Sequence, residues 1–160
     1  MMRKIMIDQA VEKPPISDLN FLDLEHLAQV EFTSECQEHP VESALLLNGD
    51  SDSGWVAASA GEQIIRIVFD QPRTIEHIVL RFDEQQQSRT QEFVLLWLMD
   101  KENIYQEILR QQYHFSPPNT TCEIEHYHAK LKQLKALELR IIPDIEGGEA
   151  CAKLKKLRLA

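Results

Sequence analysis

Two hydrophobic periods run along this chain, and one replaces the other near residue 63. In "SDLNFLDLEHLAQV", Leu19, Leu22 and Leu27, with Phe21 nearby, form a partial stripe at helical spacing. Ser17 or Asp18 can cap its start, so the pattern predicts a short helix near 18–29. From Gln63 the period is two. "QIIRIVFD" puts Ile65, Ile67 and Phe69 on one face, and "TIEHIVLRFD" puts Ile78, Leu80 and Phe82 on one face with His77 and Arg81 on the other. "TQEFVLLWL" is apolar on both faces, as a central strand requires. "IYQEILRQQ", "TCEIEHYH", "KALELRII" and "KLKKLRL" continue the series. Turn chemistry separates the runs at Asp70-Gln71-Pro72, Ser116-Pro117-Pro118-Asn119 and Gly147-Gly148. "KLKQLKALELR" also fits an amphipathic helix through Leu131, Leu134 and Leu137. The alternation of Leu137, Leu139 and Ile141 up to Pro143 favours a turn near 130–135 and a strand from 136. Strands at near-regular spacing after one helical lead read as an all-β, antiparallel β-sandwich. Its core is expected to include Ile65, Ile67, Leu80, Phe82, Phe93, Leu95, Leu139 and Ile141.

Residues 1–17, with Pro14-Pro15, read as a flexible lead, and 18–160 as one domain. That length buries a full core without staples. A net charge of −9 argues against nucleic acid and against anionic membrane surfaces. No apolar stretch approaches the roughly 20 residues of a membrane span. The start, "MMRKIMIDQAVEKPP", has basic residues but no apolar core of about 7–15 residues and no cleavage site, so a cytoplasmic location is expected. Cys36, Cys122 and Cys151 are odd in number and far apart, and form no Cys-x-x-Cys pair. They read as free thiols of a reducing compartment.

"EHPVESALLLNGDSDSGWVA", then "GEQIIRIVFDQPRTIEHIVLRF", then the closing "AKLKKLRL" resemble the discoidin family, also called the coagulation-factor type C family. A Pro-bearing loop leads into an apolar segment. A small-residue loop follows and ends at Trp55. A strand ending in "FDQP" and an "IEHIVLRF" strand come next. The resemblance spans roughly residues 30–160. It implies a galactose-binding-like jelly roll of about eight strands and a non-catalytic binding module, most often for carbohydrate. The alternative is an intracellular protein–protein interaction module of the same fold. The resemblance also implies that Trp55 packs inside.

The acidic turn "NGDSDSGW" fails as an EF-hand in either register, because a serine or tryptophan stands where the loop needs glycine. In the family this turn often holds calcium with help from a glutamate of the last strand. Lys156 falls about where that glutamate belongs. The expectation is therefore no cofactor. Calcium is disfavoured, and Lys156 pairs with Asp50 or Asp52.

By resemblance, ligand binds the loops at one end of the sandwich. "QYHFSPPN" offers Tyr113, His114, Phe115 and Asn119. Aromatic faces suit sugar C–H groups, and planar amides and imidazoles suit hydroxyls. Arg89 on a neighbouring loop offers a fork of donors, and His39 sits on the first loop. Each has a plain structural reading beside the functional one. Tyr113 and Phe115 alternate at a strand end, so at least one is core. Arg89 suits a salt bridge or a solvated loop equally well. "EIEHYH" puts His126 and His128 on one strand face, but two ligands are too few for zinc without partners. No nucleophile motif, phosphate loop or dinucleotide fingerprint is present, and Cys36 with His39 lacks an orienting third group. The chain is read as a non-enzyme.

Overall fold

The computed structural model describes residues 2–4, 15–48 and 54–160. Its frame is a pair of long antiparallel strands, β3 (Gln63–Asp83) and β6 (Cys122–Ile142), which bend together. Their register runs from Gln63↔Ile141 to Val68↔Ala136, becomes irregular, and resumes from His77↔His128 to Asp83↔Cys122. The irregularity also changes phase. Ile65, Ile67 and Phe69 face inward before the bend, and Ile78, Leu80 and Phe82 after it. A bulged bend of this kind keeps the apolar set inside while the strand changes layer.

The near halves form a broad sheet in the order β1-β3-β6-β4-β5, using β1 (Ala28–Phe32), β4 (Arg89–Met99) and β5 (Gln106–Phe115). The far half of β3 pairs with β8 (Lys156–Leu159) on its other side. A separate two-stranded sheet joins β2 (Trp55–Ala60) to β7 (Cys151–Leu154). The two layers meet across Phe82 of the far half and Phe93 of the near sheet, whose rings stack at 5.1 Å. All eight core positions expected from the alternation are at most 1% exposed. Trp55 is buried as the resemblance implied, and its indole N–H donates to Ser34 O at 2.9 Å. The architecture is an antiparallel jelly-roll β-sandwich.

Three local expectations give way. Of the helix expected near 18–29, one turn survives, α1 (Leu24–Leu27), and Ala28–Phe32 is strand instead. So short a helix gains little from its own hydrogen bonds, while β1 gains a full ladder against Ile65–Phe69. The turn expected near 130–135 is the bend of a continuous strand, with Gln133 at φ 54°. The run "AKLKKLRL" is broken at Lys155, so its two halves serve different sheets. A second helical turn, α2 (Glu42–Leu45), lies in the apolar segment before the acidic turn. The Arg158 guanidinium holds its end, donating to Ala44 O at 2.8 Å and Leu46 O at 3.0 Å. Among the described residues no helix is long and apolar enough to cross a membrane.

Candidate ligand-binding end

At one end of the sandwich three connections converge: 84–88 between β3 and β4, 116–121 between β5 and β6, and 143–150 between β6 and β7. Arg89 ties them together. It opens β4 in phase with the buried Gln91, Phe93 and Leu95, so alternation turns it inward. Its Nε donates to Glu84 Oε1 of the first connection at 2.7 Å. Its Nη1 donates to Pro143 O of the third at 2.8 Å, and to Gln91 Oε1 at 3.2 Å. The guanidinium lies 4.8 Å from the ring centre of Phe115, where the second connection begins. Backbone bonds add to this: Glu84 N donates to Thr121 O and Ile145 N to Thr90 O, each at 2.8 Å.

Burial pushes the Glu84 carboxyl upward. The hydrogen bond from Arg89, the bond from Gln86 N and the charges of Lys153 and Arg89 outweigh it and hold the pKa below the usual range. Lys153 Nζ completes the pair from β7, 3.2 Å from Glu84 Oε2. The network then runs inward through Gln91, whose amide donates to Glu123 Oε1 at 3.4 Å. Glu123 is buried, and among the described residues no cation pairs with it. Burial first, and its hydrogen bond and repulsion with Glu125 second, push it up to about 8, so it holds its proton at neutral pH. Among the described residues, Arg89 Nη2 and Glu123 Oε2 are buried with no hydrogen-bond partner.

The residues singled out from the sequence divide on burial. Phe115 is fully buried and Arg89 nearly so, which corrects the expectation that they present a ring face and a donor fork to ligand. Both lie on the inward face of a paired strand, Arg89 opposite Phe115. Tyr113 is half-buried in the same phase, its ring edge-on to Phe115 and its hydroxyl donating to Cys122 O at 3.0 Å. His114, one residue out of phase, is exposed on the opposite face and shares a hydrogen bond with Thr90 Oγ1 at 2.8 Å. Strand alternation thus splits the expected aromatic shelf across two faces. Asn119 is exposed at the tip of its loop. His39 is half-buried beside β2: its carbonyl accepts from Val56 N at 3.2 Å, and its buried Nδ1 has no hydrogen-bond partner among the described residues.

Asp50 and Asp52 lie outside the described residues, so their pairing with Lys156 does too. Lys156 sits on the outward face of β8 opposite Arg81, beside Val79 and Ile124. The last residue of the small-residue loop, Gly54, has φ 64°, and a Cβ there would stand 2.9 Å from Leu154 O and 3.1 Å from Lys155 Cα. Only glycine fits that approach. Cys36, Cys122 and Cys151 are half-buried free thiols.

Reading the sequence for exposed loop chemistry missed Glu84, Gln91, Glu123 and Lys153. Part of their signal was present. Arg89 and Gln91 share the phase of Phe93 and Leu95, which marks them as polar side chains aimed into a core.

No protein-family profile matches the chain, and no characterised protein matches it by sequence. Solved structures do match. The family 32 carbohydrate-binding module of Clostridium perfringens NanJ, in complex with galactose, is 12% identical, and the match covers 87% of this chain and 96% of that one at a TM-score of 0.62. A C. perfringens module in complex with GalNAc-β-1,3-galactose is 13% identical over 88% of this chain and 99% of that one, at 0.60. A Ruminococcus gnavus GH29 fucosidase in complex with fucose is 6% identical at 0.63, over 86% of this chain but 26% of that one. At these identities the likeness speaks for architecture: this chain has the discoidin-type, galactose-binding-like jelly-roll fold.

Proposed function

We propose that this chain is a non-catalytic carbohydrate-binding module that takes sugar on the loops gathered by Arg89. The observation that carries the reading is the near-complete overlap with carbohydrate-binding modules, one of them in complex with galactose. The loop geometry supports it. Three connections tied to one buried guanidinium form a preorganised rim, which lowers the ordering cost of binding. With Tyr113 and Phe115 turned inward, hydrogen bonds to sugar hydroxyls carry the affinity. His114 and Asn119 are the exposed planar groups placed to make them. Glu84 is held by Arg89 and Lys153, and Glu123 is covered, so neither carboxyl is presented to solvent. The test is a glycan array with the full chain, followed by calorimetry on galactose and GalNAc-β-1,3-galactose. His114→Ala and Asn119→Ala should each weaken binding by about 1 kcal/mol, roughly fivefold, without lowering the melting temperature. An array without a hit, or affinity untouched by both changes, overturns the reading.

A second reading, a protein-interaction module, has one observation of its own. The outward face of the far layer carries Ile124, 55% exposed, in a groove with Ile16, Phe21 and Val79 framed by Arg81, Lys156 and Arg158. An apolar floor with a basic rim fits an acidic, apolar peptide segment. Ile124→Asp should abolish such binding and leave sugar binding unchanged.

A further inference from the structure

The broad sheet ends at β1, and among the described residues no strand pairs with the other side of that strand. Thr33 N donates to Ile64 O at 3.0 Å, so the backbone of Thr33 faces β3. In an antiparallel ladder this facing alternates. Gln29 and Glu31 therefore turn their N–H and C=O groups to β3 as well, while Val30 and Phe32 turn theirs to the open edge. An unpaired edge of this kind is a template for another strand.

The side chains of the same two residues leave the core incompletely covered. Val30 lies opposite Ile67 and Phe32 opposite Ile65, so both share the inward phase. Yet Phe32 is 40% exposed and Val30 half-buried, whereas Ile65 and Ile67 are 1% exposed. Val30 and Phe32 line an open groove of about 200 Å³. Its floor is the buried Leu24 of α1 with Val41 and Leu45 at α2. Glu25 and Glu42, both exposed, stand at its rim.

We infer that this edge takes up an extended segment of a partner protein, with apolar residues alternating with Lys or Arg, as an added antiparallel strand beside β1. Three features select that occupant. The main chain of Val30 and Phe32 offers outward donors and acceptors, which a strand satisfies and a helix, already bonded within itself, does not. The groove lies on the side-chain phase of the same residues, so every second side chain of an added strand drops into it. The rim is acidic, and no described residue lining the groove is a cation, so Lys and Arg meet complementary charge there. Arg158, at the end of α2, is bound to Ala44 O and Leu46 O. The same charge counts against a second copy of this chain, whose net charge is −9 and whose edge would bring two acidic rims together. None of the residues at the loop end takes part, so this inference stands or falls separately from sugar binding.

The probe is a peptide capped at both ends, Lys-Val-Lys-Val-Lys-Val-Lys, titrated into the full chain by calorimetry. One equivalent should bind saturably. N-methylation of its valines, whose N–H groups face β1 in an antiparallel pair, should remove binding, whereas N-methylation of its lysines should leave it. Phe32→Asp should also remove it. Glu25→Gln combined with Glu42→Gln, at exposed positions, should weaken binding about threefold to tenfold and flatten its salt dependence, while the melting temperature stays unchanged. Ile124→Asp, in the other groove, should leave binding unchanged. Absence of saturable binding, indifference to which residues are methylated, or binding that survives Phe32→Asp overturns the inference. So does a dimer of the chain alone that sedimentation shows to depend on Phe32, because the edge would then belong to a second copy. Should Phe32→Asp fail to fold, the methylated peptides decide the matter on the unaltered chain.

Discussion

Arg89 at the loop end and Arg110 on β5 make ion pairs of nearly equal length. Arg89 Nε lies 2.7 Å from Glu84 and Arg110 Nη2 lies 2.8 Å from Glu107. The side chains of the first pair are 0% exposed on both sides, and those of the second are 52% and 48% exposed. Distance therefore says little about what either pair contributes. Water screens the Arg110 pair, and its partners remain solvated when it breaks. The buried pair has no such refuge, because without Arg89 the buried Glu84 carboxylate keeps only Lys153 and the Gln86 N–H to offset its lost hydration. The buried pair also links three loops, so its loss reaches the whole loop end, whereas the Arg110–Glu107 pair bridges neighbours on one strand.

The comparison breaks most visibly at Arg89. Arg89→Met should lower stability by about 3–5 kcal/mol, read from urea or thermal melts. Adding Glu84→Gln should return part of that loss, since the stranded charge goes with it. A double variant no better than the single one would place the cost in the packing on Phe115 instead.

Glu123 sharpens the contrast from inside the same network. Its pKa is raised, so the folded state binds a proton that the unfolded chain releases near the ordinary carboxylate value. Its contribution is neutral at low pH and turns destabilising as pH rises from about 4.5 to about 8. Glu123→Gln should therefore match the native protein near pH 4 and exceed it by roughly 1–3 kcal/mol near pH 9. Glu84 runs the other way: its depressed pKa means that its contribution is present above the ordinary carboxylate pKa and lost as pH falls through the folded value. Melting curves across pH that show no gain for the glutamine variant at alkaline pH would contradict the neutral assignment of Glu123.

The smallest effect belongs to Arg110. Arg110→Ala should cost at most about 1 kcal/mol, and the difference should shrink in high salt.

Alternation carried the sequence reading a long way. Ile65, Ile67, Leu80, Phe82, Phe93, Leu95, Leu139 and Ile141 all lie in the core because a strand's facing is set by a two-residue period that local sequence records. The same period, followed through Arg89, Tyr113 and Phe115, points them inward. Their polar or aromatic chemistry obscured that, since loop residues with donors and rings also suit a ligand. Three features had no local trace. The bend of β3 and β6 depends on their pairing with each other across roughly sixty residues of chain. The meeting of Glu84, Arg89, Pro143 and Phe115 depends on three connections closing over one end. The groove beside Val30 and Phe32 depends on β1 meeting Leu45 of α2 at one edge of the sheet. Sequence by itself determined which side chains point in and which point out. Tertiary structure alone decided which of them meet, because register and loop closure join residues whose separation along the chain no local pattern records.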